Sequence, residues 1–520
     1  MRAIRHRRRS IPALAALAAA AVAAPVLLTA TPAAAHPREG RLAKELVEEV
    51  TAKGAYRHLK KFQQIADANG GNRAAGTPGH AASAAYVHDT LKKAGYQVSY
   101  QDFDIYEAHT KTERTTVLGQ GSRELATAAF TFTKSTPAGG LAAPLALARV
   151  DETPGCTADD YPAGAFAGKI ALVKRGACTF VEKQRAAAEA GAIGVIVYNH
   201  SGTTPVRGGF SSPAEGIIPS AGITLADGEA LAAAAAAGEV SVRLELDQEH
   251  VKKTTRNVIA ETRGGRADRV VSLGAHLDSV PEGPGINDNG SGSAGLLEVA
   301  LKLADEGANK KGRGPANKVR FGWWSAEELG LLGSEHYVAQ LSEKQKKDIA
   351  LYLNFDMIAS PNPVQFVYDG DDSDKAGAGA GPAGSAQIEA LINGFLDKKG
   401  KPHEGSDFDG RSDYGPFIAN GIPAGGTFTG AEGIKTAEQA RRHGGTAGAP
   451  YDPNYHGAGD DLKNLDLKVF DTNLDVIAHA VGTYAESLRS LGRPYHAADG
   501  RADTPGNAAT GRGSVQRRPD

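Results

Sequence analysis

The chain has 520 residues, room for two or three domains, and 41% of it is apolar, which is ample for a large core. Its formal net charge is −2, and removing residues 1–35, which carry five Arg and no acid, takes it to −7. That mild acidity argues against nucleic acid or an anionic membrane surface as the main partner.

The first predicted element is an address. Arg2, Arg5 and Arg7 to Arg9 form a basic start, Ile11 to Leu28 is almost wholly apolar, and Ala33-Ala34-Ala35 fits a small-residue cleavage site before His36. Residues 1–35 therefore read as a signal peptide. Pro25, Pro32 and the alanine-weighted stretch argue against an uncleaved anchor, so no stable membrane insertion is expected after cleavage. The expected product is secreted. Export makes a disulfide chemically available, and Cys156 and Cys178, the two cysteines of the chain, are expected to pair.

Glu39–Phe62 reads as one helix and His80–Ala94 as another, with Tyr86, Val87 and Leu91 at helical spacing and Gly95 as the stop. A glycine- and asparagine-rich loop, 68–79, joins them. Tyr96–Ile105 alternates like a strand. From about residue 130 short β-like runs follow: Leu141–Val150, Lys169–Lys174, Ala192–Tyr198, Ser220–Thr224 and Ser241–Leu246, around one helix, Phe180–Ala190. From Arg256 onward strands alternate with helices. Strands are expected at Arg269–Gly274, Val319–Trp324 and Leu351–Phe355, and helices at Ser291–Leu303 and Leu329–Leu341. Near-continuous apolar strands in this rhythm predict an α/β fold with a doubly wound, mostly parallel sheet and helices on both faces. The expected layout is a larger domain in two pieces, 36–129 and 249–492, with a smaller β-rich module, 130–248, inserted between them. Residues 493–520 hold almost no apolar side chains and read as a disordered or processed tail.

In doubly wound sheets ligands gather beyond the carboxyl ends of the strands. The residues there carry metal chemistry. The first strand runs into His276 and Asp278, and twelve residues past His276 comes Asp288, in Asn287-Asp288-Asn289-Gly290. The second runs into Glu327-Glu328 and the third into Asp356-Met357; Tyr455-His456 adds a second imidazole. Singly, each of these is more often a surface charge or a helix cap. Together they offer two imidazoles and three carboxylates, a natural set for two zinc ions. Each ion would take one imidazole, one terminal carboxylate and one oxygen of a shared carboxylate, with a position left for water. A short Asp in a glycine-rich turn suits the bridge, and Asp278 is placed to orient the His276 ring.

These motifs resemble the secreted bacterial co-catalytic zinc aminopeptidases, including the Streptomyces type that prefers large apolar N-terminal residues. The resemblance rests also on Asn69-Gly70-Gly71-Asn72-Arg73, Asp409-Gly410-Arg411-Ser412-Asp413, Gly426-Thr427-Phe428-Thr429-Gly430 and residues 444–448, and it spans most of 50–130 and 255–490. It implies a zinc exopeptidase fold with His276 and Asp356 on one zinc, Glu328 and His456 on the other, and Asp288 bridging. It implies Glu327 as general base, Tyr455 as donor to the oxyanion, Arg411 on the substrate backbone, and Met357 and Phe428 in an apolar S1 pocket. The substrates implied are peptides with a free N-terminus, acted on by a monomer. One departure is that Asn454 and Gly459 flank Tyr455-His456 where related chains can carry a disulfide.

Residues 130–248 resemble a protease-associated (PA) domain, through Cys156-Thr157, Lys169 to Gly176, Cys178-Thr179-Phe180 and Ala190 to Val195. That module would guide substrate, offer a partner surface, or act as a spacer. Asp471 and Asp475 match positions used for structural calcium in some relatives, although i,i+4 spacing equally suits one polar helix face. Two alternatives stay open on sequence alone: a carboxypeptidase of the same clan, with Arg411 reading a terminal carboxylate, and a binding protein that keeps the fold without catalysis.

Overall fold

The computed structural model describes residues 40–492, apart from 120, 311–313 and 378. The expected signal peptide and C-terminal tail lie outside the described residues.

The first described elements are helices α1 (Arg41–Glu49), α2 (Ala52–Ala68) and α3 (Pro78–Lys93). The single helix expected over Glu39–Phe62 is thus two. Val50 turns extended, and Thr51 restarts the helix by accepting the Gly54 N–H on its side chain, so a cap competes successfully with a continuous apolar stripe. Strand β1 (Gln97–Val117) comes next, then two short strands, β2 (Arg123–Leu125) and β3 (Thr127–Ala129).

The next strands are β4 (Leu141–Leu147), β5 (Ile170–Lys174), β6 (Gly194–Tyr198) and β7 (Ser220–Ile223), with α4 (Phe180–Glu189) after β5 and α5 (Leu225–Ala237) after β7. β4 to β7 pair in parallel, and β3 closes the far edge antiparallel. Alternation on β5 divides the packing. Ala171 and Val173 join Phe130, Phe166 and Phe180 on one face, and Ile170 and Leu172 join Leu145, Ile196 and Leu244 on the other. Cys156 and Cys178 form a disulfide with Cα atoms 5.9 Å apart.

Strand β8 (Ser241–Glu261) leads back and pairs along its length with β1, from Val117 opposite Val242 to Gln97 opposite Glu261. The two strands make an antiparallel ribbon of about 65–70 Å at about 3.3 Å per residue. Its ends belong to different cores, because Leu244 packs in the inserted module and Val258 and Ala260 pack in the main body.

The main body is then β9 (Arg266–His276), α6 (Gly290–Asp305), β10 (Asn317–Trp324), α7 (Leu332–Ala339), α8 (Glu343–Asp348) and β11 (Ile349–Phe355), followed by β12 (Phe366–Tyr368), α9 (Ser385–Lys398), β13 (Glu404–Ser406), α10 (Tyr414–Ala419), β14 (Ala424–Phe428), α11 (Ala437–His443) and α12 (Leu467–Glu486). Strand order is β13-β12-β14-β11-β9-β10-β8-β1, with β14, β11, β9 and β10 parallel at the centre. Val271, Leu273, Leu351 and Leu353 face one core with α2, α6 and α12, and Val270, Trp324 and Tyr352 face the other with α7 and α10. The sheet is therefore covered by helices on both sides, as the apolar runs required. Among the described residues no helix is long and apolar enough to cross a membrane.

Candidate metal centre

Parallel pairing brings three strand ends to one edge. Trp324 of β10 stands opposite His276 of β9, and Asn354 of β11 stands opposite Gly274. The segments that leave these strands therefore cross the same lip, and His276, Glu327-Glu328 and Asp356 converge there. The loop after His276 brings buried Asp288 against them, and the loop before α12 adds Tyr455 and the more exposed His456.

Asp288 stands between the imidazoles. Its Oδ1 lies 3.3 Å from His276 Nε2 and its Oδ2 lies 3.3 Å from His456 Nε2. Asp356 Oδ1 adds a contact of 3.3 Å to His276 Nε2, and Glu328 Oε2 one of 3.0 Å to His456 Nε2. Glu327 Oε2 is farther from His276 Nε2, at 3.8 Å. Asp278 is fully buried beneath them: its Oδ1 accepts the Glu327 N–H at 3.3 Å, while the His276 Nδ1 side faces the Asp278 carbonyl at 3.2 Å and Oδ1 at 3.7 Å.

Two ligand atoms on one tetrahedral ion, each about 2.0–2.1 Å from it, sit about 3.3–3.4 Å apart. The four contacts of 3.0–3.3 Å match that spacing. Asp356 Oδ1 and Glu328 Oε1 are buried without a hydrogen-bond partner, which is costly unless a cation meets them. Protonation points the same way. Burial pushes the His456 imidazole down, yet Asp288 and Glu328 outweigh it and raise it to about 10. Burial likewise opposes Asp356 and Glu327 at His276, which ends well above its usual value. Burial, with Glu328, Asp356 and Asp413 adding, pushes Glu327 well above the carboxylate range against the pull of His276. Burial and Asp288 take Glu328 up to about 7. The donor set is short of positive charge, and it fits a pair of divalent cations. The cluster includes two groups, His276/Asp288/Glu328 and His276/Glu327/Asp356, whose ligand atoms all lie within 4.8 Å of one another.

The backbone is bent to make this arrangement. Ala326, Met357 and His456 have φ of 58°, 48° and 55°, a left-handed region that disfavours side chains other than glycine. Such strain persists only where the surroundings over-determine it, and here each instance is, or lies within two residues of, a candidate ligand. The loop of residues 452–464 is tied by hydrogen bonds: Asn454 donates to Asn464 Oδ1 at 2.8 Å, and Asp452 Oδ1 accepts the Asn454 N–H at 2.9 Å.

One cavity holds all five candidate ligands with Glu327, Tyr455, Arg411, Met357 and Phe428. The Tyr455 ring stacks on His456 at 3.8 Å, and Arg411 reaches the Tyr455 hydroxyl at 3.3 Å and Glu432 at 2.9 Å. The same cavity is lined by Tyr368, Tyr414, Ser406 and Asp407, none of which stands in a distinguishing pattern of the sequence. Ser412 donates to Asp356 Oδ2 at 2.5 Å, a role visible only once the chain is folded. Asp471 and Asp475 are far from this cluster in role: Asp471 Oδ1 accepts the Ala52 N–H at the start of α2, and Asp475 Oδ2 pairs with Lys399 Nζ, both at 3.1 Å.

Residues 257–481 match the model of peptidase family M28, and residues 141–231 match that of the PA domain. Leucine aminopeptidase 2 of Arthroderma otae is 43% identical over 467 residues, covering 89% of this chain and 89% of that one. The aminopeptidase from Aneurinibacillus sp. strain AM-1 superposes with a TM-score of 0.64 at 26% identity, over 84% of this chain and 95% of its own. BSAP, a zinc aminopeptidase from Bacillus subtilis, superposes with a TM-score of 0.54 at 28% identity, over 83% of this chain and 95% of its own.

Proposed function

The chain belongs to peptidase family M28, with an inserted PA domain, and from that premise we propose that it is a secreted zinc aminopeptidase that removes single residues from the free N-terminus of peptides. The observation that carries the reading is Asp288, one carboxylate oxygen turned to each imidazole at 3.3 Å. His276 and Asp356 would hold one zinc, Glu328 and His456 the other, and Asp288 both. Bound zinc supplies Lewis acidity toward the scissile carbonyl and acidifies water.

The remaining work falls to side chains. Glu327, buried and not among the closest ligands, takes a proton from the attacking water and passes it to the leaving amine. The Tyr455 hydroxyl donates to the developing oxyanion, and Arg411, braced by Glu432, holds the substrate backbone. The free α-amine is drawn to the surplus of carboxylates, which confines cleavage to the first peptide bond. Met357 and Phe428 favour large apolar N-terminal side chains. Residues 36–129 and 249–492 would form the peptidase body and 130–248 the inserted module, in a monomer.

The test is paired. Purified protein should carry close to two zinc ions per chain, cleave Leu-p-nitroanilide, lose that activity to phenanthroline and regain it with zinc. N-acetyl-Leu-p-nitroanilide should be inert. Full activity in metal-free protein, or equal cleavage of the blocked substrate, sinks the proposal.

A further inference from the structure

The loop between His276 and α6 carries both Asp278 and Asp288 and has no repetitive structure over 277–288. Its buried peptide groups cannot satisfy one another along a helix or strand, so they need partners from elsewhere. Two buried side chains supply them.

Arg73, from the loop between α2 and α3, is fully buried. Its Nε donates to the Pro284 carbonyl at 2.9 Å and its terminal nitrogens donate to the carbonyls of Leu277 and Gly285. Its own N–H donates to Ser279 Oγ at 2.9 Å, and the guanidinium lies 5.2 Å from the Phe62 ring centre. Asp460, four residues past His456 and 2% exposed, does the reverse. Oδ1 accepts the Asn287 N–H at 2.8 Å, Oδ2 accepts the Asp288 N–H at 2.9 Å, and the Asp460 carbonyl accepts the Ile286 N–H at 3.0 Å. An arginine therefore grips the carbonyls of one loop and a carboxyl group grips its amides. Among the described residues neither side chain makes an ion pair, so both are spent on the loop. A planar fork that spans three carbonyls is a geometry lysine lacks. Gly285, at φ 61°, lets the loop fold this closely on itself, since a Cβ there would lie 2.4 Å from the Asp288 carbonyl oxygen and from Ser279 Cβ, and 3.2 Å from the guanidinium.

We propose that Arg73 and Asp460 are positioning residues that clamp the 277–288 loop, hold Asp288 between the two imidazoles, and thereby set zinc affinity and turnover rather than substrate binding. The proposal rests on Asp288 being the shared ligand.

Arg73→Lys keeps the charge and loses the fork. Asp460→Asn keeps the shape and turns an N–H toward an amide that needs an acceptor. Leu303→Ala, in the main core away from the loop, serves as a control for lost stability alone. Zinc affinity by chelator competition, kcat and KM on Leu-p-nitroanilide, and Tm are measured for all three and for the unaltered enzyme. Both clamp variants should lose at least about tenfold in zinc affinity and in kcat, with KM within about threefold, the range typical of groups that orient metal ligands. Leu303→Ala should lose Tm while keeping zinc affinity. In the double variant the losses should be smaller than the product of the singles, because both act on one loop. Native zinc affinity and kcat in a folded clamp variant overturn the proposal. So does a matching loss of affinity in Leu303→Ala, or failure of both clamp variants to fold. Absence of zinc from the unaltered enzyme would instead overturn the metal reading on which the clamp depends.

Discussion

Glu327 and Glu328 are adjacent, equally acidic and in the same cavity, so the division of labour between them is a sharp test. Adjacent side chains leave the backbone in different directions, and here Glu327 turns toward His276 and Glu328 toward His456. Glu328 Oε2 reaches His456 at 3.0 Å, a donor–donor spacing for one ion, whereas Glu327 Oε2 stands 3.8 Å from His276 and outside the 3.3 Å set by Asp288 and Asp356. Glu327→Gln keeps size and hydrogen bonding but cannot accept a proton at neutral pH. General-base contributions are about a hundred- to ten-thousandfold, or about 2.7–5.5 kcal/mol of barrier. We expect kcat to fall within that range while zinc content, KM and Tm stay near those of the unaltered enzyme. Glu328→Gln should instead release one zinc at least about tenfold more readily, with activity recovering partly at high zinc. Stopped assays on Leu-p-nitroanilide beside metal analysis of the same samples decide it. If Glu327→Gln loses zinc and Glu328→Gln keeps both metal and rate, the assignment of Glu328 as ligand and Glu327 as base is refuted.

Replacing Cys156 and Cys178 by Ser opens a loop of sequence separation 22, for which chain entropy predicts a loss of about 3 kcal/mol in the inserted module, read by denaturant unfolding; an unchanged midpoint refutes it. The cavity wall pairs apolar Met357 and Phe428 with Asp407, so Lys-p-nitroanilide should also be cleaved; Asp407→Asn should lower kcat/KM for Lys by about three- to fivefold and leave Leu within about twofold, and an unchanged Lys to Leu ratio rules that contact out. Burial, with Lys398 and Lys399 nearby, lowers the His479 imidazole from 6.5 to about 4. The folded state then binds fewer protons than the unfolded chain between those values, so His479 contributes fully above pH 6.5 and its contribution is lost as pH falls toward 4. Discounted for partial exposure this is on the order of 1–2 kcal/mol, and His479→Gln should flatten the fall in Tm over that range; an unchanged slope counts against it.

The central strands are legible because burial on both faces leaves a run such as Val270 to Ala275 with almost no polar choice, and the candidate ligands follow from where those runs stop. Length is not legible where burial lapses. The middle of the β1–β8 ribbon carries exposed Glu249 opposite exposed His109, so its pattern says little, and alternation predicts an end for β8 at Leu246 rather than Glu261. Arg73 stands in a recognisable motif that gives no hint of its task, because its partners lie 204 to 212 residues away. Ser412 and Asp460 are opaque for the same reason: a hydroxyl or carboxylate acquires its role from a contact across the fold, which neither period nor neighbour encodes.

The ribbon has a consequence for how such a chain can be cut and rejoined. Because β1 leaves the main body beside the place where β8 returns, the whole excursion through the inserted module hangs from a single pair of neighbouring residues at any chosen height. Asp104 faces Thr254 across the ladder, a separation a tight hairpin turn can close. Joining the strands there would excise everything between, including the disulfide, without touching His276, Asp288, Glu327, Glu328, Asp356 or His456, or the arginine and aspartate that grip the loop beneath them. A two-domain protein with this wiring is a one-domain protein plus a detachable hairpin tip, and it can be re-engineered by lengthening or trimming that tip.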